Sequence, residues 1–170
     1  MRAGIALGSN VGDRLQALIA GREALHSLKE ASGPFLASSL YETEPVGTEP
    51  DASSFLNAVV ELDFNGHPAN LLQALQGIES AMGRPSKRPR NAPRTIDLDI
   101  LYAGNLTLST PDIVIPHPRL HLRRFVLVPL TEIRPELRLP GQQHTVSELL
   151  AALQDPAAVL RSPLQWPSER

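Results

Sequence analysis

Apolar residues recur along this chain with two periods, and these periods predict its helices and strands. Helical spacing of the apolar positions predicts amphipathic helices over residues 13–28 and 68–82. Short runs rich in apolar and β-branched residues predict strands over 2–7, 36–41, 55–62 and 95–102. The resulting order, β-α-β-β-α-β, predicts an α+β, ferredoxin-like core in which helices flank a four-stranded antiparallel sheet.

Turn residues and capping patterns extend this prediction to the loops and to the end of the chain. Gly33-Pro34 is expected to close the first helix, and a turn at 103–105 is expected to bring 106–108 back as a hairpin partner. A helix is expected over 123–133. Thr145, followed three residues later by Glu148, is a capping-box pattern that predicts a last helix over 147–153. The core is therefore expected to carry C-terminal additions.

Composition narrows the classes of protein to which the chain can belong. Its 16 Lys and Arg residues against 18 Asp and Glu give a net charge of −2, which argues against a surface devoted to nucleic acid or anionic lipid. The lack of cysteine excludes disulfide scaffolds, thiolate zinc sites and cysteine nucleophiles. No signal peptide and no run of ~18 apolar residues is present, so we expect a soluble, cytoplasmic protein.

Two aspartates in the last predicted strand are the first candidates for chemistry. Residues two apart on a strand point to the same face, about 6–7 Å apart, so Asp97 and Asp99 share a face opposite Leu98. Aspartate is a poor strand former, and a solvated outer face is one interpretation of the pair. Binding of Mg²⁺ is the other, because this ion prefers one or two carboxylates together with phosphate oxygens.

A basic segment stands directly before these aspartates. Residues 83–94 contain five of the 16 cationic residues and three prolines that stiffen the segment: the cations are Arg84, Lys87, Arg88, Arg90 and Arg94. A solvated basic loop or a nucleic-acid patch would have this composition. Its position beside paired carboxylates favours a polyphosphate site, since arginines and metal ions can then hold one anion.

Two further places carry candidate binding residues. Phe55 and Asn57 alternate onto one face of the third predicted strand, where an aromatic ring and an amide can hold a flat heterocycle. A packed Phe with a loop-capping Asn is the alternative. His117 lies between two prolines and is either a polar loop residue or a phosphate contact. Neither a P-loop nor a Rossmann glycine motif is present.

Several short motifs between residues 5 and 139 occur together in an order typical of one enzyme family. They are Gly8-Ser9-Asn10, Tyr41-Glu42-Thr43-Glu44-Pro45, Phe55-Leu56-Asn57-Ala58, Ile78-Glu79 with Gly83-Arg84, Pro93-Arg94-Thr95-Ile96-Asp97-Leu98-Asp99-Ile100, Ile115-Pro116-His117-Pro118-Arg119 and Arg123-Arg124-Phe125-Val126-Leu127. The chain therefore resembles the 6-hydroxymethyl-7,8-dihydropterin pyrophosphokinases of folate biosynthesis. The resemblance implies a monomeric enzyme with a ferredoxin-like core. It also implies transfer of diphosphate from ATP to the pterin hydroxymethyl group.

By position, the resemblance also implies roles for individual side chains. Asp97 and Asp99 would bind two Mg²⁺ ions, and Arg84 and Arg94 would act on the phosphates. The ATP side would be lined by Gln76, Glu79, Arg84, Lys87, Arg94, Ile100, His117 and Arg123. The pterin pocket would be formed by Thr43, Pro45, Val46, Phe55, Asn57 and Phe125, with the pterin stacked between the two phenylalanines.

The implied reaction is an in-line attack at the β-phosphorus that leaves AMP, assisted by two metal ions and two arginines, with no general base assigned. The catalytic domain would span residues 1–140. Residues 141–170 would form a C-terminal helix and tail, either part of that domain or partly disordered. Asn91 and Ala92 depart from the family, which often has an aromatic residue and a glycine before Pro-Arg-Thr.

An RNA-binding module is the alternative from another class, because it shares the β-α-β-β-α-β order and a basic loop. Such modules stack bases on aromatic residues of the sheet, whereas this chain places two aspartates on the corresponding strand, and aspartates repel phosphate unless a metal ion intervenes. A two-metal nuclease would fit the carboxylates but leaves the Phe55–Asn57 pair without a role. Small-molecule substrates are therefore expected, without nucleic acid or membrane.

Overall fold

The computed structural model describes residues 1–44, 53–83 and 95–168. In chain order the described elements are β1 (Arg2–Ser9), α1 (Arg14–His26), β2 (Ala31–Ala37), β3 (Tyr41–Thr43), β4 (Phe55–Phe64), α2 (Pro68–Ala81), β5 (Asp97–Ala103), β6 (Leu108–Ser109), β7 (Val114–Ile115), a 3₁₀ turn (Leu120–Leu122), α3 (Arg124–Ile133), α4 (Val146–Ala152) and β8 (Val159–Arg161).

The main sheet has the strand order β5-β1-β4-β3-β8, and β2 also pairs with β4. Every pairing in it is antiparallel. The α+β, ferredoxin-like prediction is confirmed, with β1 and β4 at the centre and β5 at one edge. Within the described ranges the sheet has six strands instead of the expected four, because the expected 36–41 strand divides into β2 and β3 and because β8 adds to the outer side of β3.

Side chains along the central strands alternate between the two faces of the sheet, and helices pack on both faces. Apolar side chains such as Ile5 and Leu7 pack with Leu18 of α1 and Leu71 of α2 in the larger core. Those on the other face pack with α3 and α4 in a second core, which comprises Val59, Leu101, Tyr102, Leu120, Val126, Leu127, Leu130, Leu139 and Val146. The described chain is thus a sheet between two helical layers.

Local capping signals set the helix starts close to their predicted positions. The Asp13 carboxylate accepts from the backbone N–H of Gln16 at 3.1 Å, and Pro68 begins α2. The predicted capping box at α4 is present, with Thr145 and Glu148 each bonding the other's backbone N–H.

Two predictions about turns were wrong. Gly33-Pro34 does not end α1, which stops at His26; it lies inside β2, where the register against β4 shifts between Ser32 and Leu36. Proline has no N–H to donate to a sheet, so it is tolerated where pairing is interrupted. The segment after the turn at 103–105 does not return along β5 either, because β6 pairs with β7 in a separate two-stranded sheet.

The strand β8 was not predicted, because a three-residue strand in a proline-rich tail has no periodicity to show. No helix within the described ranges is long and apolar enough to cross a membrane.

Candidate active site

The paired aspartates lie on edge strand β5, on the sheet face that α3 and α4 partly cover. Asp97 stands opposite Gly8 of β1, and Asp99 opposite Ala6. Both aspartates are half-buried, whereas Leu98 between them is buried in the core on the α1/α2 side. The structure therefore places the two carboxylates on one face, as the strand period predicts.

Glu79 of α2 supports the backbone between these aspartates. Its side chain is buried, and Oε1 accepts a hydrogen bond from the backbone N–H of Leu98 at 2.8 Å. An edge strand has a neighbour on one side only, so a backbone N–H on the outer side needs another partner. Glu79 supplies that partner and fixes β5 where its carboxylates are displayed.

Asp97 is aligned across the sheet with Asn57, which belongs to a buried polar pair. Gly8 lies between Asp97 on one side and Asn57 of β4 on the other. A Cβ atom at Gly8 would lie 2.8 Å from Oδ1 of Asn57, so only glycine leaves room for this amide. The Asn57 Nδ2 donates to Oγ1 of Thr43 at 2.5 Å, and both residues are buried.

Two half-buried aromatic residues, Phe55 and Phe125, lie on β4 and α3. Phe55 of β4 is half-buried and lies opposite Thr43 in the β3–β4 register. Phe125 is half-buried in the first turn of α3, with the Arg123 guanidinium carbon 5.5 Å from its ring centroid. An amide, a hydroxyl and an exposed aromatic edge suit a flat heterocycle that carries hydrogen-bonding groups.

His117 is held as a neutral side chain. Its backbone N–H donates to Leu101 O at 2.8 Å, and its Nδ1 accepts from the backbone N–H of Arg119 at 3.1 Å. Burial, and next the nearby Arg123 and Arg119, lower the pKa of His117 to about 4, while Asp97 opposes the shift. Because Nδ1 is an acceptor, the proton of the neutral ring is on Nε2.

The other expected ATP-side residues lie apart from this cluster or outside the described residues. Gln76 is exposed on α2, and the Ile100 side chain is buried in the core on the α1/α2 side, so only its backbone can reach a ligand on the aspartate face. Arg84, Lys87 and Arg94 of the expected ATP side lie outside the described residues, as do Pro45 and Val46 of the expected pterin pocket.

In residues 1–44, 53–83 and 95–168, no group of three or more His, Asp or Glu side chains is placed to hold a metal ion. Two carboxylates completed by phosphate oxygens are a different kind of site, and Asp97 with Asp99 fits it.

Sequence reasoning missed two features of the strands that carry this site. The role of Gly8 in making room for Asn57 has no local signal in the sequence. Arg14 binds both carboxylate oxygens of Glu42, at 2.8 and 3.0 Å, and donates to Ser54 O at 2.9 Å. This contact ties the start of α1 to β3 and to the entry of β4, and it joins charges that are 28 positions apart in the chain.

Known proteins of one family are similar to this chain in sequence. The model of the 7,8-dihydro-6-hydroxymethylpterin-pyrophosphokinase (HPPK) family matches residues 4–135. The 2-amino-4-hydroxy-6-hydroxymethyldihydropteridine pyrophosphokinase of Pseudomonas aeruginosa is 42% identical over 89% of this chain and 91% of its own. The enzyme of the same name from Bacillus subtilis is 45% identical over 76% of this chain and 75% of its own.

The fold is also similar to that of a longer protein of known structure. A crystal structure of wild-type Plasmodium falciparum HPPK-DHPS with pteroate superimposes with a TM-score of 0.68. At 17% identity this likeness concerns the fold alone, and it covers 88% of this chain but only 42% of that one. Together, the family match and the bacterial relatives show that the chain belongs to the 7,8-dihydro-6-hydroxymethylpterin-pyrophosphokinase family and is an ATP-dependent pyrophosphokinase of folate biosynthesis.

Proposed function

We propose that this enzyme joins the hydroxymethyl oxygen of 6-hydroxymethyl-7,8-dihydropterin to the β-phosphorus of ATP by in-line attack. The new O–P bond forms as the bond between the β-phosphorus and the α–β bridging oxygen breaks. AMP leaves with that oxygen, and the hydroxyl proton passes to solvent. The observation that carries the proposal is the position of Asp97 and Asp99 on the same sheet face as the Asn57–Thr43 pair.

Asp97 and Asp99 would hold two Mg²⁺ ions. Their carboxylates are hard oxygen ligands on one half-exposed face, which is the donor set that this ion prefers. When bound, Mg²⁺ would neutralise charge that develops on the phosphate oxygens. Glu79 contributes by holding the backbone of β5 between the two ligands. Arg84 and Arg94, which lie outside the described residues, would meet the phosphate charge from the basic segment.

The remaining ATP contacts would come from several elements. Neutral His117 has its Nε2–H available as a donor to a phosphate oxygen, because its Nδ1 is already bound. Arg123 adds a fixed positive charge at the start of α3. Gln76 of α2 and the backbone of Ile100 would contact the nucleoside, and Lys87 would contact the phosphates.

The pterin would lie between β3, β4 and α3. The Asn57 amide, held by Thr43, would read the hydrogen-bonding edge of the ring. Phe55 and Phe125 would stack on its two faces, with Pro45 and Val46 at the rim. Held in this way, the hydroxymethyl group needs positioning and electrostatic stabilisation more than a dedicated base.

We further propose that the protein is a cytoplasmic monomer that acts on these small molecules without nucleic acid or membrane. Carboxylates on the open part of the sheet would repel the backbone of an RNA strand, which argues against an RNA-binding module.

The products of one reaction test the proposal. The enzyme is incubated with ATP, Mg²⁺ and the hydroxymethyl pterin, and the products are measured by mass spectrometry. We expect AMP and a pterin diphosphate in equal amounts. ADP as the stoichiometric nucleotide product would mean attack at the γ-phosphorus and would overturn the proposal. The Asp97→Asn variant, prepared in parallel, shows whether the products come from this site.

A further inference from the structure

The last part of the chain contacts β3 and α3, two of the three elements that carry the proposed pterin pocket. Residues 155–166, here called the C-terminal brace, lie beyond residues 4–135 that match the family model. The brace contains Asp155, strand β8 and Trp166. Each of these makes a contact with a different part of the chain, described in turn below.

Asp155 caps the helix that carries Phe125. The residue before α3, Arg123, makes no side-chain capping bond. Instead, Oδ2 of Asp155 accepts from the backbone N–H of Arg124 at 3.3 Å, while its Oδ1 accepts from Ala157 N at 2.9 Å. A carboxylate at a helix N-terminus also interacts favourably with the helix dipole. The first turn of α3 is therefore held by a residue that is 31 positions away.

Strand β8 covers the outer side of β3. Thr43 stands opposite Val159 and Tyr41 opposite Arg161, and β3 has β4 as its other neighbour. Because β3 is only three residues long, loss of β8 would leave Thr43 on a very short edge strand.

Trp166 anchors the brace to the body of the protein. Its Nε1 donates to Ser38 O at 2.7 Å, and the Arg22 guanidinium carbon lies 5.1 Å from the ring centroid. The indole also packs against the core on the α1/α2 side. Between this anchor and β8, the backbone N–H of Ser162 donates to Leu40 O at 2.8 Å. The brace is thus fixed along residues 38–43, immediately before and within β3.

We propose that the C-terminal brace positions the two walls of the pterin pocket, with Asp155 holding the α3 wall at Phe125 and β8 with Trp166 holding the β3 wall at Thr43. Asp155 and Trp166 are positioning residues in this proposal, since neither touches the reacting atoms. The inference rests on the proposed pterin pocket.

Kinetics of Asp155 variants test the α3 wall. Asp155→Ala should raise the pterin KM about fivefold, the size of a lost helix cap, with kcat and the ATP KM changed by less than about twofold. The ATP KM is largely spared because Arg123 alone among the proposed ATP contacts adjoins the first turn of α3. Asp155→Asn keeps an acceptor oxygen and should restore the pterin KM.

Thr145→Ala is the matched control, because it removes a helix cap from α4, which carries no proposed pocket residue. An equal rise in pterin KM for Asp155→Ala and Thr145→Ala would overturn the proposal, since the effect would then reflect general loosening. An unchanged pterin KM in Asp155→Ala would also overturn it.

Hydrogen exchange without substrate tests the brace independently of the chemistry. In Trp166→Ala we expect faster exchange at amides 41–43, and in Asp155→Ala at amides 124–126, relative to the wild type and to Thr145→Ala. Trp166→Phe keeps a ring without the Nε1–H and should give an intermediate rate at 41–43. Unchanged exchange at amides 41–43 and 124–126 would overturn the proposed role of the brace even if the enzyme makes the expected products. Faster exchange without pterin turnover by the wild type would instead reject the proposed pocket.

Discussion

One face of the central sheet carries acidic residues at both of its ends, and the surroundings of these residues differ between the two ends. At one end, Glu61 of β4 is completely buried and accepts hydrogen bonds from Nε and Nη2 of Arg2, at 2.9 and 2.6 Å. The Tyr102 hydroxyl donates to its other oxygen, and Arg134 lies 3.5 Å from it. Burial, and next the bond to Glu61, raise the pKa of Tyr102, so the hydroxyl remains a donor.

At the other end, Asp97 and Asp99 are half-buried, next to a glycine and a polar pair. The strands are the same, and the alternation that puts Glu61 on this face also puts Asn57 there. What differs is the surroundings: basic and hydroxyl groups enclose Glu61, whereas the aspartates keep partial access to solvent. A fully enclosed and paired carboxylate suits stability, and an accessible pair on a strand suits ligand binding.

Replacement of Asp97 or Asp99 should produce the largest effect on activity. We expect Asp97→Asn and Asp99→Asn each to lower kcat at least about 10³-fold, because each removes a charge proposed to bind Mg²⁺, with little change in Tm. Steady-state kinetics and thermal melts measure both. Asp63→Asn, at the other end of the same face, is the control and should keep kcat near the wild-type value. A normal kcat in either Asp97→Asn or Asp99→Asn would favour the other interpretation, in which the pair is only part of a solvated face.

Loss of the enclosed carboxylate should act on stability instead. Glu61→Gln leaves Arg2 and Tyr102 without their charged partner, and breaking a buried pair typically costs about 3 kcal/mol of unfolding free energy. Urea denaturation measures this loss, and kcat at 20–25 °C should change by less than about twofold. A large fall in kcat at a temperature where the variant is fully folded would contradict the assignment of Glu61 to stability alone.

A methyl group added at Gly8 tests how precisely the neighbouring Asn57 amide must be positioned. Gly8→Ala would push against Oδ1 of Asn57 and displace the amide that Thr43 holds. We expect the pterin KM to rise about tenfold, the cost of a misplaced hydrogen bond, with a smaller change in the ATP KM. Gly77→Ala on α2 adds the same methyl group into open space and should leave both KM values unchanged. Equal KM values in Gly8→Ala and the wild type would show that Asn57 does not read the pterin.

The smallest expected effect is a pH dependence of stability at His117. Its pKa in the folded protein is about 4 and in the unfolded chain about 6.5, so the unfolded chain takes up the proton first as pH falls. Above pH 6.5 this residue contributes no pH dependence, and stability declines from there toward pH 4. Urea midpoints at pH 7.5 and 5.0 should therefore differ more for the wild type than for His117→Asn. An equal difference in both proteins would show that the histidine is not held neutral by the fold.

Local signals in the sequence predicted the parts of this molecule that neighbouring residues determine. Asp13 caps α1, Pro68 starts α2 and Thr145 with Glu148 starts α4, as expected. The shared face of Asp97 and Asp99 follows from the strand period alone. The family resemblance, carried by short motifs, is confirmed by the family match.

The parts that were missed depend on contacts between distant residues. Glu61 has no local feature that marks it as buried, and its partner Arg2 lies 59 positions away. Trp166 meets Ser38 across 128 positions, and β8 exists because β3 offers it an edge. Such contacts become visible only once the sheet is assembled, which is why sequence alone left the last thirty or so residues without a role.

The bond between Glu79 and Leu98 also affects how readily another chain could add a strand beside β5. The exposed edge of a sheet is a template on which another chain can add a strand, and β5 is such an edge among the strands of the described residues. A strand approaching there would have to displace a buried carboxylate from the Leu98 amide and lie beside two acidic residues. The arrangement that would present carboxylates to a small ligand therefore also makes this edge a poor template for strand addition.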